Sequence, residues 1–319
     1  MNKEQTIEQV VPCVIDIVIP AYNARETIQK TVKATLIQEL PANWEKNVII
    51  VDDGSSDDTV QYCQTVFNKQ VKVIVHKQNR GRAASRNTGW HAGFGKYVVF
   101  LDADCRWSST KALSAHIQVL DAGSDVSTGA IISNKQNFWG NYQNMIQKSR
   151  EQDFLYGNLA VFTSANLAIK RTFLEKSNGF DESYRHYGFE DRDFLLRLIS
   201  LGAKINFCSD AVIIHNPDSS LVVLCKKMME SGQYSAARFR EAHPDYYGRS
   251  IYGRVDCRLH GFPLTLLAMI ASPMLFCIVY LNNIIIEFSW VPYQIKNLLV
   301  KITSGLAYMS GTYRGTKNR

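Results

Sequence analysis

Tyr97-Val98-Val99-Phe100-Leu101-Asp102-Ala103-Asp104 is the stretch that decides the fold class of this 319-residue chain. Five apolar residues in a row, β-branched and aromatic among them, read as a short strand buried on both faces. Two carboxylates follow immediately. A buried strand ending in acidic residues belongs in a layered α/β sheet, where ligands gather outside the carboxyl ends of the strands. The preceding residues keep the same rhythm. Residues 15–19 form an apolar run that Pro20, lacking an N–H, is expected to stop. Residues 27–40 carry Ile28, Val32, Leu36 and Leu40 at the spacing of one helical face, and Pro41 ends them. Residues 48–51 form a second buried strand, closed by Asp52-Asp53-Gly54-Ser55-Ser56. Ser56 or Asp57 is placed to cap the next helix, with Val60, Cys63 and Phe67 facing inward. Residues 71–75 predict a third strand and residues 82–94 a helix, against the low helix propensity of Gly89. Strands alternating with helices predict an α/β fold: a mostly parallel sheet flanked by helices. Tyr22-Asn23, Asp52-Asp53 and Asp102–Asp104 all fall at the ends of predicted strands, which is where a site belongs.

Further on the pattern loosens. Residues 125–132, 166–169, 205–207 and 212–214 read as strands, and 191–201 as a helix with Phe194, Leu195, Leu198 and Ile199 inward. Residues 138–156 are aromatic and polar, and are assigned to the acceptor side. Pro217 marks a boundary, giving a catalytic domain over 1–217 and a C-terminal region over 218–319. From Asp218 onward there are twelve Lys and Arg against six Asp and Glu, so nearly all of the net charge of +7 lies in the last third. A basic segment suits an anionic surface. Residues 262–281 carry no charge and are long enough to cross a bilayer, with Pro263 and Pro273 as expected interruptions. Residues 284–300 contain Glu287 and Lys296 and suit an interfacial helix, Trp290 and Tyr293 lying at headgroup depth. The expected location is the cytoplasmic face of a membrane. The acidic residues near Met1 leave no room for a signal peptide core. Seven scattered cysteines without a CxxC pair argue against a disulfide framework or a zinc site.

Each polar cluster carries a chemistry. Asp102 and Asp104, two residues apart, face one side if the segment stays extended, and their oxygens suit a hard cation, Mg²⁺ or Mn²⁺. Asp52 or Asp53 can accept the imide N–H of a uracil ring, because an ionised carboxylate only accepts. Arg80, Arg82 and Arg86 suit phosphate oxygens. Glu190-Asp191 opens a helix and supplies a general base for an acceptor hydroxyl. His215 ends a strand and is a candidate third metal ligand.

In order along the chain, these segments resemble glycosyltransferase family 2, which has the GT-A fold. The resemblance rests on Ile17-Val18-Ile19-Pro20-Ala21-Tyr22-Asn23, Ile50-Val51-Asp52-Asp53-Gly54-Ser55-Ser56-Asp57 and Asn79-Arg80-Gly81-Arg82-Ala83-Ala84-Ser85-Arg86-Asn87. Phe100–Asp104, Gly179-Phe180-Asp181-Glu182, Glu190-Asp191-Arg192-Asp193 and His215 complete it. It implies that Pro20, Ala21, Tyr22, Asn23 and Asp52 or Asp53 surround the base and ribose of a nucleotide-sugar donor, with Arg82 and Arg86 near the nucleotide. It further implies that Asp102 serves ribose and sugar as well as the cation, Asp104 binds the metal, and Asp191 is the base, with Glu190 holding the acceptor. The QxxRW sequence of many membrane-embedded polymerases in this family is absent. Arg185-His186-Tyr187-Gly188-Phe189-Glu190-Asp191 looks like the galactosyltransferase-like branch. The expected reaction is inverting transfer from a UDP-sugar to a glycan or lipid-linked acceptor. A sugar nucleotidyltransferase is the alternative, but such enzymes carry a Gly-rich basic loop where this chain has Pro20-Ala21-Tyr22-Asn23. A non-catalytic membrane module leaves Asp104 and Asp191 unexplained. Nucleic acid is not an expected partner, since Trp290 and Tyr293 sit among apolar residues rather than basic ones.

Overall fold

The computed structural model describes residues 12–216 and 220–317. The expectations about the first residues and the boundary at Pro217 lie outside the described residues. The N-terminal part alternates as predicted: β1 (Cys13–Ala21), α1 (Ile28–Leu36), β2 (Trp44–Asp52), α2 (Thr59–Val66), β3 (Lys72–Val75), α3 (Arg82–Ala92) and β4 (Tyr97–Leu101). β1 runs parallel to β2 and β4, and β2 parallel to β3. β1 continues past Pro20, because the Ala21 carbonyl accepts the Asp53 N–H (2.8 Å) and carries the ladder on. Period-two alternation sorts the core. Ile15, Ile17 and Ile19 pack with Ile28 and Val32 of α1, whereas Val18 turns to the other face, against Ala83 and Trp90 of α3. Gly89 is required there, since a Cβ on it would lie 2.2 Å from Val18 Cγ1.

β5 (Cys105–Trp107), α4 (Ala112–Asp121), β6 (Val126–Ile132), α5 (Phe138–Leu155), β7 (Asn166–Lys170), α6 (Arg171–Ser177), α7 (Glu190–Ser200) and β8 (Ile205–His215) follow. The strand order is β3-β2-β1-β4-β7-β6-β8-β5. β7 is antiparallel to both neighbours, and β5 is antiparallel to β8. The sheet is therefore mostly parallel with antiparallel insertions. The two short strands predicted over 205–214 are one strand. Exposed Ser209 and Asp210 interrupt its apolar pattern, and the ladder to β6 is irregular at Gly129/Ala130. The aromatic, polar segment expected on the acceptor side is the helix α5. Its Phe138, Trp139 and Tyr142 pack on the C-terminal helices, and its Phe154 packs on Phe162 and Phe207.

Beyond the sheet come α8 (Leu221–Glu230), a π-helical turn at Ser231–Ser235, α9 (Ala236–Ala242), α10 (Pro244–Arg249), α11 (Ile251–Arg254), α12 (Cys257–His260), α13 (Phe262–Glu287) and α14 (Tyr293–Lys317). The expected interruptions at Pro263 and Pro273 do not divide α13. Pro263 lies in the first turn, where its missing N–H removes no helical hydrogen bond, and the helix runs through Pro273. Ser272–Ser310 and Asn282–Thr303 hydrogen bonds pair α13 antiparallel with α14. α13 buries Ala268, Ala271, Leu275 and Val279 and leaves Phe262, Ile270, Met274 and Phe276 exposed. Residues 284–300 are divided between the two helices. Trp290 is exposed, whereas Tyr293 packs against Phe138, with ring centroids 5.5 Å apart. All seven cysteines are free thiols.

Candidate active site

A cleft of about 570 Å³ opens at the carboxyl ends of β1, β2 and β4. Pro20, Ala21, Tyr22, Asn23, Asp53, Arg82, Arg86, Asp102 and Asp104 line it, along with Lys227 and Glu230 of α8. Most of the residues expected around a donor are therefore brought to one place. Tyr22 stands half-exposed on the wall. Asn23 takes a left-handed φ of 48° and ties the first loop to the second, accepting from Ser56 N (2.8 Å) while its own N–H donates to Ser55 Oγ (2.8 Å).

The two aspartates after β2 differ. Asp52 is buried and absent from the cleft wall. Its carboxylate accepts from Gly54 N, Ser55 N and Ser55 Oγ, so it shapes its own loop. Asp53 accepts from Arg80 N (2.9 Å), Gly81 N (2.8 Å) and, at 2.7 Å, interacts with His76 Nδ1. A carboxylate offers about four acceptor positions, which leaves one on Asp53 for a ligand. Asp53 thus borders the cleft, whereas Asp52 builds the loop.

The Asp102-Ala103-Asp104 segment is a turn, not the extended stretch expected. Cys105 N–H donates to the Asp102 carbonyl (3.0 Å), and Thr31 Oγ1 donates to the Ala103 carbonyl (2.8 Å). The two carboxylates consequently part. Asp102 accepts from Arg86 Nη2 at 3.0 Å. Asp104 Oδ2 lies 3.1 Å from His215 Nε2, brought there by the antiparallel register Cys105↔His215. Among the described residues, Asp104, Cys105 and His215 form the group whose ligand atoms converge to within 4.8 Å; Asp102 is not in it. Burial alone would raise the Asp104 pKa, but the hydrogen bond and charge of His215 outweigh it and lower it. Burial and the neighbouring aspartates push the Cys105 thiol well up. The carboxylate of Asp104 and the imidazole of His215 are donors that could hold Mn²⁺ or Mg²⁺, whereas a thiol suits softer metals.

Arg86 is the hub. It is 1% exposed, and its Nη1 donates to Asp191 Oδ1 (3.2 Å) while Nη2 holds Asp102. Its Nε has no partner among the described residues. Ser164 Oγ also donates to Asp191 Oδ1. Glu190 is buried, 3.5 Å from Arg82 and 4.0 Å from Arg86. Burial, then the charge of Asp191, raises its pKa against the pull of Arg82 and Arg86. The Arg82 pKa is raised, because Glu190 and Asp102 outweigh the effect of burial. Glu190 and Asp191 themselves lie behind the cleft wall, joined to it through Arg86 and Arg82.

Three contributors were not found by sequence reasoning. Lys227 and Glu230 come from α8, beyond the predicted catalytic domain, and Ser164 carries no motif. Lys227 lies 5.2 Å from the Tyr187 ring, on which Arg82 also packs at 5.2 Å. Burial and the charge of Arg82 lower the Lys227 pKa. Glu230 accepts from Tyr187 N (3.2 Å) and lies 3.2 Å from His186 Nδ1, clamping the loop before α7. The paired lysines Lys226-Lys227 in an otherwise apolar helix were the available signal.

Comparison with known proteins bears on the family and the fold. The profile of Glycosyl transferase family 2 matches residues 16–177, and that of the N-terminal domain of galactosyltransferase matches 145–216. The chain is 28% identical over 192 residues to the UDP-Glc:alpha-D-GlcNAc-diphosphoundecaprenol beta-1,3-glucosyltransferase WfaP of Escherichia coli, covering 60% of this chain and 72% of that one. It is 33% identical over 97 residues to WfgD of Escherichia coli, which bears the same enzyme description. That match covers 30% of this chain and spans 37% of the relative's length. Among solved structures, the mannosyltransferase PcManGT of Pyrobaculum calidifontis, in complex with GDP-Man and Mn2+, superposes with a TM-score of 0.61 at 18% identity, over 94% of this chain and 87% of that one. S. aureus TarS 1-349 in complex with UDP gives 0.55 at 17% identity, over 96% and 92%. The likeness to these structures shows the GT-A-type fold. With a family profile spanning half of its length and the motif residues gathered at one cleft, the chain belongs to glycosyltransferase family 2.

Proposed function

We propose that this chain is an inverting, metal-dependent glycosyltransferase. It moves a sugar from a nucleotide-diphosphate donor, a UDP-sugar, to a hydroxyl of a glycan or lipid-linked acceptor and forms a β-glycosidic bond. One observation carries this reading: the guanidinium of Arg86 holds Asp102 on the cleft side and Asp191 on the other. A donor in the cleft therefore has a carboxylate base within one side chain's width of its sugar. Asp191 takes the proton of the acceptor hydroxyl. That oxygen bonds to the anomeric carbon as the bond to the diphosphate oxygen breaks, and the electron pair leaves with the nucleoside diphosphate. A single displacement inverts the configuration and needs no carboxylate nucleophile. Asp104 and His215 would hold a divalent cation, Mn²⁺ or Mg²⁺, which supplies Lewis-acid neutralisation of the diphosphate charge. Arg82 and Lys227 add positive charge on the same side. Asp53, Ala21 and Tyr22 receive the base and ribose.

The division into a catalytic region over 1–217 and a C-terminal region over 218–319 belongs to the same proposal, with α8 serving both. α13 is long and apolar enough to cross a membrane by length and composition, and most of it is exposed. Its exposed apolar face and the basic character of the C-terminal region support contact with a membrane surface, on its cytoplasmic face. Relatives named as acting on diphosphoundecaprenol-linked acceptors support a lipid-linked acceptor and a place in the assembly of cell-envelope polysaccharide. The test is a screen of nucleotide-sugars with Mn²⁺, following nucleotide release with and without lipid-linked acceptors. Release stimulated by acceptor from a UDP-sugar is expected. Pyrophosphate formation from a sugar phosphate and a nucleoside triphosphate would establish the nucleotidyltransferase alternative instead.

A further inference from the structure

α13 is tied to the body of the protein at both ends and along its length. Just before its start, Cys257 N–H of α12 donates to Thr312 Oγ1 of α14 (3.3 Å). Near its end, Asn283 Oδ1 accepts from the N–H of Leu221, the first residue of α8 (3.0 Å). Between them, the Ser272–Ser310 and Asn282–Thr303 hydrogen bonds set Tyr308 level with the middle of α13. At that level α14 and the end of α8 touch backbone to backbone. A Cβ on Gly311 would lie 2.1 Å from the Met229 carbonyl oxygen, and one on Gly232 2.4 Å from that of Tyr308. Glu230, next to Met229, lines the donor cleft. The midpoint of α13 therefore stands two helix layers from the cleft wall, about 20 Å away at usual interaxial distances. If α13 crossed a bilayer, α14, α8 and that wall would be carried to midplane depth, where ionised Lys227 and Glu230 are costly.

The outer side of α13 is apolar. At 3.6 residues per turn, buried Ala268, Ala271, Leu275, Val279 and Ile286 form one stripe. Exposed Leu266, Ile270, Met274, Phe276, Tyr280 and Ile284 spread over about half of the circumference, facing away from it. Phe262 extends this face at one end. Phe288, stacked on Trp290 with ring centroids 5.7 Å apart, extends it at the other. Just upstream, exposed Ile251 stands between exposed Arg249 and Arg254.

We propose that α13 is a monotopic anchor: it lies in the plane of one anionic lipid leaflet, its apolar half among the acyl chains, and does not cross. This mode rests on the membrane contact proposed above and adds how that contact is made. An apolar half-cylinder ended by aromatic rings, with guanidinium groups beside it, suits such a leaflet. α14 links the anchor to the chemistry. The Tyr308 ring packs on Phe189 (centroids 6.5 Å apart), the residue before Glu190-Asp191. The anchor thereby holds Asp191 at a set height above the leaflet, where a lipid-linked acceptor presents its sugar.

Cys277 is exposed on α13, and the other cysteines are buried or half-buried. It shares the centre of the outer face with Leu266 and Ile284. The full chain is bound to vesicles of equal parts phosphatidylglycerol and phosphatidylcholine. Nitroxide depth is then measured at Cys277 and, in a Cys277→Ser background, at Leu266→Cys and Ile284→Cys. The labelled Cys277→Ser protein gives the background. All three labels are expected at one shallow depth, about 5–10 Å below the headgroups. Leu266 and Ile284 are about 27 Å apart along the helix, so a crossing helix would place Cys277 on the order of 10 Å deeper than either. That profile would overturn the anchor and leave membrane contact standing. Absence of vesicle binding would overturn both, and a lipid-free dimer that shields Cys277 from maleimide would assign the face to a second copy instead. Ile270→Glu with Phe276→Glu should weaken vesicle binding about tenfold or more while UDP affinity stays unchanged. Undiminished vesicle binding by that variant would also defeat the proposal. The nucleotide-release screen tests the transferase reading independently of every vesicle measurement.

Discussion

The aspartates after β2 and those after β4 occupy equivalent places at the ends of the two strands that flank β1, yet they are held in opposite ways. Asp52 and Asp53 are fixed largely by backbone N–H groups of their own and the adjoining loop. Such bonds stay formed whatever ligand is present. Asp102, Asp104 and Asp191 are held by side chains that are themselves ionisable: Arg86 for two of them and His215 for the third. The first pair is a scaffold with one acceptor position left over. The second set is a cluster of charges whose balance a cation or a donor diphosphate must change. The difference teaches that strand-end carboxylates are not equivalent: backbone partners fix one pair, and ionisable side chains hold the other set.

Arg86 should give the largest effect, because it links the two carboxylates most directly tied to transfer. Arg86→Met leaves Asp102, Asp191 and Glu190 without their shared buried cation. Removing one partner from such a buried set costs about 3–5 kcal/mol, so thermal unfolding should show a clearly lowered Tm along with lost activity. A stable Arg86→Met protein with full transfer would erase the distinction drawn here. Asp104→Ala comes next and touches little of the fold, since Asp104 is half-exposed. Titration calorimetry should show nucleotide affinity losing its Mn²⁺ dependence, while affinity measured in EDTA stays as in wild type. Lys227→Met is expected to be mildest. It should weaken UDP binding by about three- to tenfold, equivalent to about 1 kcal/mol, with Tm unchanged. An unchanged UDP affinity would place α8 outside the donor cleft.

The first hundred residues were legible because each element there announces itself. Buried parallel strands are largely apolar runs, β1 being interrupted only by the buried Asp16, and their carboxyl ends carry polar residues. What the sequence could not convey is pairing between distant segments. His215 was a candidate by its place at a strand end and by its part in the family resemblance; the register with Cys105 is what brings it to Asp104. The spacing of Asp102 and Asp104 suggested one shared direction, and the turn closed by Cys105 N–H and anchored by Thr31 separated them. α5 escaped detection because polar Asn144 and Gln147, bonded to backbone, stand between the packed Phe138, Trp139 and Tyr142 at one end and Phe154 at the other and blur the apolar stripe. Lys227 and Glu230 were missed because the site reaches past the segment that carries the motifs.

The central claim is that Asp191 is the base on the acceptor side of a cation-dependent donor site. Asp191→Asn tests it most directly, measured as acceptor-dependent transfer alongside Mn²⁺-dependent UDP binding on the same preparation. Transfer should fall by about 10²–10⁴-fold while UDP affinity stays within about threefold of wild type. Transfer near the wild-type rate would contradict the account.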